Sequence, residues 1–218
     1  MRIRVKICGI TRPEWARAAA DAGADAIGLV FAESPRRISA DQARRIVQAL
    51  PPWVAPVGVF VDEAPGAICE TAAAAGLVTV QLHGAEPPEM LANLQNLKII
   101  KAFRIGSAQD AEDARAWRKE CEKRGRTPDA YLVDARVPGG PKGGTGRPAD
   151  WALAARLVRE GFWPLVLSGG LSAENVAEAI RTVRPWGVDS SSGTEGAPGK
   201  KDAEKIRAFV EAVRQADV

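Results

Sequence analysis

The strongest constraint on this chain is a repeat: a short apolar run of β type, then a stretch rich in Ala and charge, eight times over. The runs are Ile3–Ile7, Ala26–Val30, Pro56–Val61, Val78–Leu82, Lys98–Phe103, Ala130–Val133, Pro164–Leu167 and Gly187–Val188. Several are continuous in Val, Ile and Leu, as parallel strands covered on both faces must be. The last is recognised only by its place in the series. The intervening stretches carry helix punctuation. Pro13 suits a first turn and Gly23 a C-terminus. Ser39 is an N-cap for Ala40–Leu50, which Pro51 and Pro52 stop. Further helices are expected from Asp62 or Glu63 to Ala75, from Ser107 to Lys123, from Asp150 to Arg159, over Ala173–Val183 capped by Ser172, and from Asp202 nearly to the end. Glu86–Leu94 is the weakest, with two prolines in its first turn.

Eight strand–helix units admit a closed (β/α)8 TIM barrel or an open doubly wound sheet. The first strand-to-helix turn reads Cys8-Gly9-Ile10-Thr11 and not G-x-G-x-x-G, which favours the barrel. No Ser/Gly/Pro tract divides the chain, so residues 1–218 are expected to form a single (β/α)8-barrel domain of the α/β class. The Gly-rich segment Val137–Arg147 is expected to be the loop after the sixth strand.

Composition narrows the partners. At 218 residues, 46% hydrophobic and 26% charged, the chain is long and apolar enough for a sizeable core. Thirty Lys and Arg against 27 Asp and Glu give a net charge of +3, and the basic residues are scattered, so no nucleic-acid partner is expected. No run reaches membrane-spanning length, and the N-terminus, Met-Arg-Ile-Arg-Val-Lys, lacks a signal-peptide core. Cys8, Cys69 and Cys121 are odd in number and far apart, which argues against a disulfide framework and for a cytoplasmic location. Cys69 and Cys121 fall in helical stretches and read as structural.

In such a barrel the chemistry sits at the C-terminal strand ends. Those ends carry Cys8, Glu33 to Arg37, Asp62, Gln81 and His83, Arg104, Asp134, Ser168-Gly169-Gly170, and Asp189 to Gly193. Turn chemistry alone explains the Gly and Asp residues; it explains a Cys, a lone His, a Gln and paired Arg less well. The Gly-rich loops after strands seven and eight, with Gly169, Gly170, Ser191, Ser192 and Gly193, can bring backbone N–H groups to a phosphate. Cys8 reads either as a small buried hydrophobe or as a base, with Lys6 two residues back on the same strand face. Asp134 reads as a loop cap or as an acid across the barrel mouth. With one His and scattered acids there is no metal-ligand spacing, no P-loop and no G-x-S-x-G. The residues point to metal-free acid–base chemistry on a phosphorylated small molecule.

Lys6-Ile7-Cys8-Gly9-Ile10-Thr11 resembles the N-terminal signature of the phosphoribosylanthranilate isomerases of tryptophan biosynthesis. The likeness continues through Gly58-Val59-Phe60-Val61, Val80-Gln81-Leu82-His83-Gly84, Asp134-Ala135 with Gly143-Gly144-Thr145-Gly146, Leu167-Ser168-Gly169-Gly170-Leu171, Asp189-Ser190-Ser191-Ser192-Gly193-Thr194-Glu195 and Pro198-Gly199-Lys200-Lys201-Asp202. The resemblance implies a cofactor-free Amadori rearrangement of phosphoribosylanthranilate, with Asp134 as general acid and Cys8 as general base. It implies that Arg37 holds the anthranilate carboxylate and that Gly169, Gly170, Ser191, Ser192 and Gly193 bind phosphate; beside it Arg36 reads as a solvated surface charge, and the sequence alone does not decide between the two arginines. Gln81 and His83 are candidates for substrate contact, and Asp189 for substrate contact or for orienting the loops. Ser190 replaces a usually apolar residue, and Ala149 an aromatic one. Other phosphate-binding barrels, such as the histidine-pathway aminoaldose–ketose isomerases or the indole-glycerol-phosphate enzymes, and a non-catalytic phosphate-metabolite sensor are the alternatives. Cys8 and Asp134 weigh against them. Monomer and homodimer both remain open.

Overall fold

The computed structural model describes residues 2–135 and 151–216. Its strands are β1 (Arg4–Cys8), β2 (Ala26–Val30), β3 (Ala55–Phe60), β4 (Thr79–Leu82), β5 (Lys98–Ile105), β6 (Ala130–Ala135), β7 (Leu165–Ser168) and β8 (Gly187–Ser190). They close into one parallel barrel in sequence order, with β1 paired to β8 in the register Lys6 with Asp189. This is the (β/α)8 TIM barrel that the repeat predicts.

The helices are α1 (Pro13–Ala22), α2 (Ala40–Gln48), α3 (Pro65–Ala75), α4 (Ala108–Lys123), α5 (Trp151–Arg159), α6 (Val176–Val183) and α7 (Ala203–Ala216). Ser39 caps α2 in a full capping box with Gln42, and Ser107 caps α4. Asp202 accepts from the N–H groups of Glu204 and Lys205 at the start of α7. Between β4 and β5 the chain makes only a 3-10 helix, Pro88–Asn93, where its prolines deny the first-turn donors. The expected cap at Ser172 is also corrected. The Asn175 amide turns back to accept from the Ser172 N–H and to donate to the Gly170 carbonyl, and α6 starts only at Val176. Asp150, Ala149 and the Gly-rich segment Val137–Arg147 lie outside the described residues.

Strand alternation divides the interior in two. Val5, Ile7, Ile27, Leu29, Val80, Leu82, Val133, Leu165, Leu167 and Val188 face outward into the main core shared with the helices. Inside the barrel two small apolar clusters form, Cys8 with Val30 and Val59, and Ala102 with Leu132 and Val166. The remaining lumen is polar, with Lys6, Gln81 and Asp189 all buried. After β8 a hairpin not foreseen from the sequence, β9 (Glu195–Ala197) with β10 (Lys200–Lys201), folds back over the rim. Among the described residues no helix is long and apolar enough to cross a membrane.

Candidate active site

At the C-terminal end of the barrel lies a cavity of about 670 Å³. That volume suits a small-molecule ligand. Its lining brings together Cys8 from β1, His83 after β4, Arg104 from β5, Asp134 from β6, Ser168, Gly169 and Gly170 after β7, and Asp189, Ser191 and Ser192 at β8. Val30 of β2 and Val59 of β3 complete the lining, so all eight strand ends supply one concave surface.

The Cys8 side chain is buried beneath this surface, 8% exposed. Burial pushes its thiol above the ordinary value, while Lys6 and Lys201 pull it back down. Lys6 donates to Asp189 at 2.9 Å, and Asp189 also accepts from Ser168 Oγ at 3.1 Å. Burial by itself would lower Lys6, but Asp189 and Cys8 outweigh it and hold the ammonium charged. Removing either partner of such a buried pair strands the other charge, at a cost of about 3–5 kcal/mol. Cys8 therefore stands over a fixed cation.

Asp134 meets the cavity from the end of β6, in register with Arg104 on β5 and Ser168 on β7. Gly169 packs against its strand end with φ of +104°. A Cβ there would drive into the Ala135 carbonyl and approach Asp134 Oδ1 to 3.0 Å, so only glycine fits. Gly193 does not line the cavity; it allows the β8 loop to press on the Leu171 carbonyl. Ser190, unusual at its position, is satisfied there by donating to the same carbonyl at 2.7 Å.

Three candidates stand elsewhere than the sequence suggests. Arg36, not Arg37, lines the cavity; Arg37 lines a separate outer groove with Phe31, Phe60 and Val61. Nor is Arg36 a loose surface charge, because Nε and Nη2 each donate to Glu195 at 2.7 Å. This side-on fork leaves the end-on edge of the guanidinium for a ligand. Gln81, in turn, is wholly buried and does not reach the cavity; it lies below His83 and bonds to it.

The sequence reading passed over Glu195 and Lys201 as site residues. Glu195 is held below the ordinary carboxylate range: burial raises it, but Arg36 and Lys201 outweigh burial. Lys201 Nζ donates to the Ser191 carbonyl at 2.7 Å and to Glu195 at 3.3 Å. Only their place in the shared C-terminal motifs marked them, since the hairpin that carries them has no readable periodicity.

A family model for N-(5′-phosphoribosyl)anthranilate (PRA) isomerase matches residues 5–212. The N-(5′-phosphoribosyl)anthranilate isomerase of Pelobacter propionicus is 46% identical, over 98% of this chain and 96% of its own. The crystal structure of phosphoribosyl anthranilate isomerase from Thermotoga maritima superposes with a TM-score of 0.87 at 43% identity, over 98% of this chain and 99% of that one. Another, in complex with reduced 1-(o-carboxyphenylamino)-1-deoxyribulose 5-phosphate, gives a TM-score of 0.83 at 41% identity, covering 98% and 99%.

Proposed function

As the chain belongs to the N-(5′-phosphoribosyl)anthranilate isomerase family, isomerases of tryptophan biosynthesis, we propose that its barrel-mouth cavity carries out the Amadori rearrangement with Asp134 as general acid and Cys8 as general base. Asp134 protonates the furanose ring oxygen of N-(5-phosphoribosyl)anthranilate. The C1′–O bond breaks as the nitrogen lone pair forms a C1′=N Schiff base. The Cys8 thiolate then takes the C2′ proton, and that electron pair makes the C1′=C2′ bond of an enolamine. Tautomerisation moves a proton to C1′ and leaves the C2′ ketone. Every electron stays within the substrate, so the step calls for no cofactor. The product is 1-(2-carboxyphenylamino)-1-deoxyribulose 5-phosphate.

The observation that carries this reading is that Cys8 and Asp134, from strands one and six, line one cavity with the two Ser/Gly loops after β7 and β8. The loop residues Gly169, Gly170, Ser191 and Ser192 would take the phosphate. Arg36, not Arg37, would take the anthranilate carboxylate, because it faces the cavity and Glu195 holds its plane. A buried thiol that has lost its proton is a stronger base than an exposed one, and Lys6 beneath it limits the cost of that charge.

The test is a fluorescence time course with freshly formed phosphoribosylanthranilate. Cys8→Ala and Asp134→Asn should each lose on the order of 10²–10⁴-fold in turnover number while remaining folded. Arg36→Ala should raise KM strongly and Arg37→Ala should change it less than about twofold. Retained turnover in Cys8→Ala would remove the base, and the reverse pattern between the arginines would return the carboxylate to Arg37.

A further inference from the structure

His83 is the single histidine of the chain, and it stands between two groups that behave differently toward a proton. On one side Gln81 Nε2 lies 2.8 Å from His83 Nδ1. On the other, His83 Nε2 lies 3.6 Å from Asp134 Oδ2. Gln81 sits in β4 between Val59 and Ile100 and is wholly buried, so its amide has no choice of solvent partners.

Among the described residues the Gln81 carbonyl oxygen has no hydrogen-bond partner. Turning the amide over would put its two N–H donors in that same unpartnered place. A buried carbonyl without a partner is better tolerated than orphaned N–H groups. The amide therefore presents its nitrogen to the ring. An amide N–H can only donate, so Nδ1 must accept and carries no proton. The neutral ring has one proton left to place.

We propose that Gln81 is a positioning residue, which holds the His83 imidazole in the tautomer with its proton on Nε2, aimed at Asp134. The inference rests on the reading of Asp134 as general acid. As Asp134 gives its proton to the ring oxygen, negative charge grows on the carboxylate. An N–H already aimed at Oδ2 stabilises that charge as it develops, once substrate draws the pair within hydrogen-bond reach. The other tautomer would point a lone pair at the same oxygen and oppose the step. Arg104, in register with Asp134 on β5, and Ser168 on β7 also flank Asp134 across the barrel wall.

With one imidazole in the protein, a sample carrying 15N-labelled histidine gives two ring-nitrogen resonances and no overlap. At mildly alkaline pH, without substrate, Nε2 is expected to be the protonated nitrogen and Nδ1 the bare one. A proton on Nδ1 would overturn the proposal. The second arm is Gln81→Met, which keeps the volume and removes the donor. The imidazole should then show mixed tautomers, and turnover number should fall roughly tenfold with KM held within about twofold, as loss of one hydrogen bond in the transition state implies. An unchanged tautomer together with unchanged turnover would also overturn it. The tautomer is read without substrate, so it stands or falls separately from the acid assignment, which Asp134→Asn decides.

Discussion

Gly28 faces Cys8 across the β1–β2 ladder, and replacing it with alanine tests whether the position of that sulfur matters. A Cβ at residue 28 would stand 2.6 Å from Cys8 Sγ, 3.0 Å from its Cα and 3.1 Å from its Cβ. Ordinary contact between such atoms needs about 3.5–4.0 Å. The ladder pins both backbones, so the thiol must swing away by roughly 1 Å. A misplacement of that size costs on the order of 100-fold in rate, or about 2.7 kcal/mol of barrier. Overpacking adds about 1–3 kcal/mol of destabilisation. In a domain of this length that lowers Tm by about 2–4 °C per kcal/mol. Turnover by the fluorescence assay and melting by circular dichroism separate the two effects. Gly66→Ala in the first turn of α3 is the control, because a Cβ there meets nothing within 4 Å. It should leave turnover unchanged and add about 0.4–1 kcal/mol of stability. A folded Gly28→Ala protein whose turnover number stays within about threefold of wild type would refute the argument that this sulfur takes the proton.

The alkaline limb of kcat/KM should lie above the ordinary thiol value of 9.0, since burial raises Cys8, and Lys201→Met should move it higher still because Lys201 lowers that thiol. The reactive form holds one proton on Asp134 and none on Cys8, so rate is lost only when the pair surrenders its last proton; a limb below that value would contradict the assignment. In acid, Glu86 and Glu195 both bind protons more weakly than the ordinary 4.5, Glu86 because Lys101 and the Asp62 backbone N–H outweigh the burial that raises it. Their contribution to stability is complete above about that pH and disappears as pH falls through their lower folded values, which urea titrations across the acid range would follow. Lys101→Met should cost about 3–5 kcal/mol, because it leaves the buried Glu86 carboxylate unpaired, and Lys101→Met with Glu86→Leu should recover much of the loss.

The sequence was most legible where a local rule has a period. Apolar runs separated by capped helices specify strands and their order, and eight such units close into a barrel; the caps at Ser39 and Ser107 stand where their side chains predict. Legibility failed where a side chain answers to a distant partner. Ser172 looks like a cap, yet its own N–H is taken by the Asn175 side chain and α6 starts only at Val176. Gln81 and His83 share a strand face two residues apart, but one layer of barrel depth buries the first and opens the second to the cavity.

What the residues settle without the fold, then, is the order of elements, the thiol at the end of strand one, the carboxylate at the end of strand six, and the glycine loops at strands seven and eight. Each depends on chain-local geometry alone. What only the tertiary structure decided is which groups share a charge. Arg36 is held at the cavity by Glu195, 159 positions away, and Lys6 is held charged under Cys8 by Asp189, 183 positions away. Such pairs exist because barrel closure brings β8 and its hairpin back to β1 and the loop after β2, and nothing in the local pattern of either partner records the meeting.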